Sequence, residues 1–186
     1  MNLPNSLTMA RVFLIPVFLL FLFVEIIPRP YGQYLAALIF VVAALTDGLD
    51  GYLARSRRQV SRFGKLMDPL ADKLLISAAL ISLLALGIIG PLPVIIIIGR
   101  EIAVNGLRSF AASDGLVIAA SRWGKVKTIF QVIAISALLL RNFPFSLINF
   151  PFDRLALWTA VFFTLFSGID YFLKYRHALA RDGKML

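Results

Sequence analysis

Six stretches of this chain are apolar over roughly twenty residues, the length an α-helix needs to cross a bilayer. VFLIPVFLLFLFVEII fills 12–27, and VIIIIG opens another such stretch at 94–99. Across the 186 residues, 60% are hydrophobic and 16% charged. A soluble domain has about 45–50% apolar and about 25% charged residues. The pattern predicts an all-α, polytopic membrane protein with six transmembrane helices. Their expected spans are about Leu7–Ile27, Tyr34–Ala54, Leu66–Ile88, Val94–Phe110, Gly124–Leu140 and Leu155–Phe172. Asn5, Ser6 and Thr8 are candidate N-caps for the first, PRP at 28–30 closes it, and GIIGPLP at 87–93 breaks the chain between the third and fourth. The start reads as a retained membrane helix, because it lacks the basic leader and small-residue cleavage site of a signal peptide. No internal repeat is present, so residues 1–186 form one membrane domain.

The distribution of basic residues sets the orientation. With the N-terminus in the cytoplasm, Arg11, Arg55, Arg57, Arg58, Arg62, Lys65, Lys73, Arg100, Arg108, Arg122, Lys125, Lys127, Lys174, Arg176, Arg181 and Lys184 fall on the cytoplasmic side. Arg29, Arg141 and Arg154 fall on the other, and these two groups account for all 19 Lys and Arg. Both termini are therefore expected in the cytoplasm by the positive-inside rule. The net charge of +9 follows from topology and needs no nucleic-acid partner. The chain has no cysteine, which excludes disulfides and thiolate metal sites, and its one histidine, His177, lies in a polar tail.

Against this apolar background stands DGLDGYLARSRRQVSRFGKLMDPLAD at 47–72. Asp47 and Asp50 are three apart near the cytoplasmic end of the second helix; Asp68 and Asp72 are four apart near the start of the third. Both spacings stack side chains on one helical face, and two helices joined by a short loop are neighbours. Four carboxylates gathered at a membrane boundary repel one another unless a cation compensates. Hard divalent ions take such oxygen ligands, and a pair of them forms a clamp for phosphoryl chemistry. Gly51 permits close approach of a ligand, and Arg55 offers a fork of donors to phosphate oxygens. The plain structural alternative is a set of ion pairs such as Asp47–Arg55 or Asp72–Lys73. Four aspartates in two helical pairs argue for a functional site.

Asp47, Asp50, Gly51, Ala54, Arg55, Gly64, Asp68 and Asp72 stand at the positions of the signature of the CDP-alcohol phosphotransferases, which the chain resembles. The resemblance implies a dimeric protein with six membrane helices and a cytoplasm-facing site. Such proteins join a CDP-activated lipid or alcohol to a hydroxyl acceptor and release CMP. It implies that the four aspartates bind two divalent cations, Mg²⁺ or Mn²⁺, and that Asp72 is also the general base. Gly51, Ala54, Arg55, Ser61 and Gly64 would lie at the CDP moiety.

Two further segments are similar to the phosphatidylglycerophosphate synthase subfamily. In NLPNSLTMARVFLIPVF, Asn5, Thr8 and Arg11 are polar positions expected near the nucleotide. GREIAVNGLRSFAA and SRWGKVKT carry Arg100, Arg108, Arg122, Lys125 and Lys127, and Arg100 and Arg108 lie two turns apart on one helix face. A pocket assembled from these five suits a phosphomonoester. The implied substrates are CDP-diacylglycerol and sn-glycerol 3-phosphate, in a bacterial inner or plasma membrane. Another acceptor such as inositol phosphate is the alternative within the family. A small cation transporter is the alternative outside it, weakened by the absence of an inverted repeat.

Overall fold

The computed structural model describes residues 3–24, 27–28, 30–57, 62–113 and 121–181. The side chains of 3–8, 47–57, 62–69, 72, 113, 122 and 177–181 lie outside that description. Six α-helices follow in order: α1 Leu3–Phe23, α2 Tyr31–Arg57, α3 Arg62–Ala85, α4 Pro91–Ser113, α5 Arg122–Leu139 and α6 Phe152–Arg181. No strand occurs among the described residues, which are all-α as expected. One helix there, α6 over Phe152–Arg176, is long and apolar enough to cross a membrane by length and composition; Met9–Phe23, Tyr31–Thr46 and Lys73–Ala85 are shorter apolar helices.

The core follows from the spacing of apolar residues. On α3, Ala71, Leu75, Ala79, Leu80 and Leu83 are all fully or almost fully buried. Their spacing makes one broad face, and α3 uses it to pack against α1, α2, α4 and α5. Phe18 of α1 and Phe40 of α2 meet in the same core with ring centroids 6.2 Å apart. On the other side, α6 lies along α5 and α4. The stripe Trp158, Phe162, Phe163 and Phe166 divides between packing and surface. Phe163 stacks on Phe130 at 4.7 Å and Phe166 meets Trp123 edge-on at 4.8 Å, while Trp158 and Phe162 are exposed.

Helix ends differ from the expected spans where hydrogen bonds, not hydropathy, set them. α1 begins at Leu3, so Asn5, Ser6 and Thr8 lie inside the helix and are not its caps; it also ends at Phe23, short of the PRP segment. α6 continues to Arg181, making the polar tail expected around His177 largely helical. The break after α3 is as expected. Gly87 takes φ +68, the Gly87 N–H donates to the Leu84 carbonyl at 2.9 Å, and the Ile88 N–H donates to that of Leu83 at 3.0 Å. This is a Schellman cap, closed by Pro91 at the first position of α4. α5 ends in the same hydrogen-bond pattern without a glycine. Arg141 sits at φ 51, its N–H on the Leu138 carbonyl and that of Asn142 on Ala137. The Asn142 side chain then holds the loop by donating to the Phe150 carbonyl at 2.7 Å and accepting from the Asp153 N–H at 3.1 Å.

A Cβ at Gly87 would meet nothing within 4 Å. Gly87→Ala therefore isolates the backbone penalty, and it is expected to lower stability by about 1 kcal/mol. Thermal unfolding in detergent checks this; an unchanged midpoint would contradict the cap.

Candidate active site

The four signature aspartates sit on two helices that pack against each other. Counting from the connection between α2 and α3, Asp50 lies seven residues back from Arg57 and Asp68 six residues on from Arg62. Asp47 and Asp72 each lie ten residues away. At about 1.5 Å per residue, the inner pair stands about 9–10 Å and the outer pair about 15 Å along its helix. Each member of one pair thus stands at nearly the same distance from the end of its helix as a member of the other. The side chains of the four aspartates and of Gly51, Ala54, Arg55 and Gly64 lie outside the described residues, as do those of Asn5 and Thr8 and the whole of Ser61. An all-oxygen donor set shared by adjacent helices fits a hard divalent cation and does not fit a thiophilic one.

Arg11 is 1% exposed, and its Nε donates to the Ala43 carbonyl of α2 at 3.2 Å. That carbonyl lies one helical turn before Asp47. The guanidinium therefore ties α1 to the acidic end of α2 at a point where the backbone carbonyl would otherwise serve only the helix.

Beside the acidic end lies a cavity of about 720 Å³. Ala44 and Leu45 of α2 and Lys73 of α3 form one wall, bordering Asp47 and Asp72 in sequence. Arg100, Glu101 and Arg108 come from α4, and Lys125 and Lys127 from α5. Four of the five basic residues predicted for a phosphate pocket thus line one space, and Arg100 and Arg108 share a helix face as their spacing requires. Arg122 is the first residue of α5, with its side chain outside the described residues. Lys73, expected from the sequence as a topology-setting charge and candidate ion-pair partner for Asp72, lines the cavity as well. Among the described residues, five cationic side chains and one carboxylate line this space, a set suited to a phosphomonoester dianion.

That carboxylate organises the pocket. Glu101 Oε1 accepts from Arg100 Nη1 at 3.3 Å and also from Lys127 Nζ. The three side chains are 9, 7 and 15% exposed for Arg100, Lys127 and Glu101. Behind them Gln131 donates to the Thr164 hydroxyl at 3.1 Å, and Thr164 donates in turn to the Ala160 carbonyl at 2.7 Å, so the polar line into α6 is satisfied. Arg100 keeps two donors, Nε and Nη2, buried and without a partner among the described residues.

The C-terminal part of α6 adds to the site, and sequence reasoning missed it. Ser121 caps α5 by accepting from the Trp123 N–H, and its hydroxyl donates to Asp170 at 2.5 Å. Lys174 Nζ donates to the same carboxylate at 2.8 Å. The Ser121 N–H donates to the Tyr171 hydroxyl at 3.0 Å. The signal was present in GIDYFLKY at 168–175, where the i, i+4 pair Asp170–Lys174 interrupts an apolar run, but its partner Ser121 lies some fifty residues away.

Removing Glu101 withdraws the carboxylate that answers two buried cations. Glu101→Ala is expected to cost about 3 kcal/mol, as breaking a buried pair does, and adding Lys127→Met should recover part of it. Thermal unfolding of the single and double variants reads this out; an unshifted Glu101→Ala midpoint would contradict the shared-carboxylate arrangement.

The CDP-alcohol phosphatidyltransferase family model matches residues 1–166. A CDP-diacylglycerol–glycerol-3-phosphate 3-phosphatidyltransferase of Bacillus subtilis is 50% identical over 96% of this chain and 97% of its own length. Proteins of the same name from Rickettsia felis, 41% identical over 92% of this chain and 93% of theirs, and from Haemophilus influenzae, 39% identical over 91% of each, are also similar. With its paired aspartates on α2 and α3 and a match reaching into α6, the chain belongs to the CDP-alcohol phosphatidyltransferase family.

Proposed function

We propose that this protein transfers the phosphatidyl group of CDP-diacylglycerol to the primary hydroxyl of sn-glycerol 3-phosphate, giving phosphatidylglycerol phosphate and CMP. The observation that carries the reading is the cationic cavity beside the aspartate-bearing turns, with Arg100, Arg108, Lys125 and Lys127 on its walls. A phosphorylated acceptor held there stands next to the helices that would bind the CDP diphosphate. The names of the relatives select glycerol 3-phosphate among phosphorylated acceptors.

In this reading Asp47, Asp50, Asp68 and Asp72 hold two divalent cations, Mg²⁺ or Mn²⁺. Bound there, the ions supply neutralisation of diphosphate charge and acidification of the acceptor hydroxyl. Asp72 takes the hydroxyl proton as the acceptor oxygen bonds to the β-phosphorus. The bond from that phosphorus to the bridging oxygen breaks, and its electron pair leaves with CMP. Asn5, Thr8, Arg11, Gly51, Ala54, Arg55, Ser61 and Gly64 form the nucleotide side. Arg100, Arg108, Arg122, Lys125 and Lys127 bind the acceptor phosphate and fix its hydroxyl, so that much of the rate comes from placement.

The same reading puts all six helices across a bacterial plasma membrane as one domain, with both termini and the site on the cytoplasmic side and the chain paired as a homodimer. The rise of α1–α4 and α6 supports it, since 21 to 30 residues at about 1.5 Å each match or exceed a hydrocarbon core of roughly 30 Å. Large apolar side chains stand exposed around the bundle, among them Leu38, Ile95, Ile102 and Ile169. In lipid such a surface is solvated; in water it would be an aggregation hazard.

Purified protein given labelled sn-glycerol 3-phosphate, CDP-diacylglycerol and Mg²⁺ should form a labelled lipid and an equal amount of CMP. Lipid formation with inositol phosphate in its place would overturn the acceptor. Asp72→Asn is expected to lower turnover about a thousandfold, in the range of a lost general base, while CMP still binds. A wild-type protein that binds no CMP would instead favour a transporter.

A further inference from the structure

We propose that Tyr171 is a positioning residue for the acceptor phosphate, holding Arg100 with its ring and the start of α5 with its hydroxyl. This rests on the glycerol 3-phosphate reading and extends it to a part of α6 beyond residue 166, where the family match ends.

Tyr171 is 4% exposed and lines the cationic cavity. Its ring centroid lies 5.5 Å from Arg100 Cζ, within the range of an attraction between a guanidinium and an aromatic face. Its hydroxyl accepts from the Ser121 N–H at 3.0 Å. Ser121 is the N-cap of α5, and Lys125 and Lys127 follow within the first two turns of that helix. One side chain on α6 thus touches the guanidinium on α4 and the cap of the helix that carries the lysines.

Gly168, one turn before Tyr171, shapes the same contact. A Cβ there would lie 3.2 Å from Arg100 Cγ, tighter than ordinary packing, so the glycine lets the arginine stem rest on α6. Glu101 holds Nη1, and Tyr171 underlies the plane. The remaining donors, Nε and Nη2, form one edge of the guanidinium and are buried without a partner among the described residues. A buried unpaired donor is costly, and a pair on one guanidinium edge matches two oxygens of a phosphate. Arg100 is thus fixed on two sides, with its bidentate edge left for an oxyanion.

The test uses the full-length protein in detergent with Tyr171→Leu, Tyr171→Phe and Gly168→Ala. Steady-state kinetics give KM for each substrate and kcat, and calorimetry gives the Kd of sn-glycerol 3-phosphate. Tyr171→Leu should raise the acceptor KM and Kd about tenfold, the scale of a lost cation–π contact, with the CDP-diacylglycerol KM unchanged. Tyr171→Phe keeps the ring and loses the Ser121 bond, so a rise of about threefold is expected. Gly168→Ala should raise the acceptor KM alone. Equal changes in both KM values, or a fall in melting temperature and kcat with the acceptor Kd unmoved, would assign Tyr171 to packing and overturn the proposal. A wild-type protein that neither binds nor uses glycerol 3-phosphate would overturn the underlying reading. Wild-type binding that Tyr171→Leu leaves intact overturns this proposal alone.

Discussion

A charge placed among apolar side chains must be answered by another, and the second half of this molecule is arranged around one such answer. Glu101 gives a single carboxylate oxygen to Arg100 and Lys127, which binds α4 to α5 through a contact largely shielded from solvent. α6 closes over it with Tyr171 against the guanidinium and Asp170 on the cap of α5. Among the described residues two cations share this one anion, and two guanidinium donors of Arg100 stay unpaired. A purely structural ion pair would be expected to balance its charges. Here the imbalance faces a cavity, which is the property a binding site for an anion requires.

The first half is built differently. α1, α2 and α3 meet through a continuous apolar face, with Phe18, Phe40, Leu75, Ala79 and Leu83 at its centre, and Arg11 ties α1 to α2 through the Ala43 carbonyl. This rigid support lies under the turns that carry Asp47 and Asp72. Ala44, Leu45 and Lys73 then pass from the acidic end to the basic cavity without a break. In the proposed reading, nucleotide chemistry and acceptor recognition meet along this boundary.

Much of this was legible in the sequence. Six apolar windows correspond to six helices, because a long apolar run with few breakers constrains local structure more tightly than propensity does. Arg100 and Arg108 shared a helix face as their spacing required, and Lys125 and Lys127 joined them on the same cavity. The ends of the helices were less legible. Arg141 adopts a left-handed conformation that composition would assign to a glycine, and α6 keeps its hydrogen bonds for two further turns through a stretch rich in basic residues. Asn5, Ser6 and Thr8 have the chemistry of caps but fall inside α1, since capping residue types mark a helix start only when the chain before them leaves the helix. The roles of Ser121, Asp170 and Tyr171 were hidden for another reason. Each depends on a contact between helices fifty residues apart, and no local period in the sequence records such a pairing.

The central claim is that carboxylates from α2 and α3 act together on a pair of divalent ions. Electron paramagnetic resonance of Mn²⁺ titrated into the purified protein with a cytidine nucleotide tests it directly. Two ions per chain with mutual magnetic coupling, lost when one aspartate from either helix is replaced by alanine, is the predicted result. Uncoupled binding, or coupling that survives removal of Asp50 or Asp68, would contradict it.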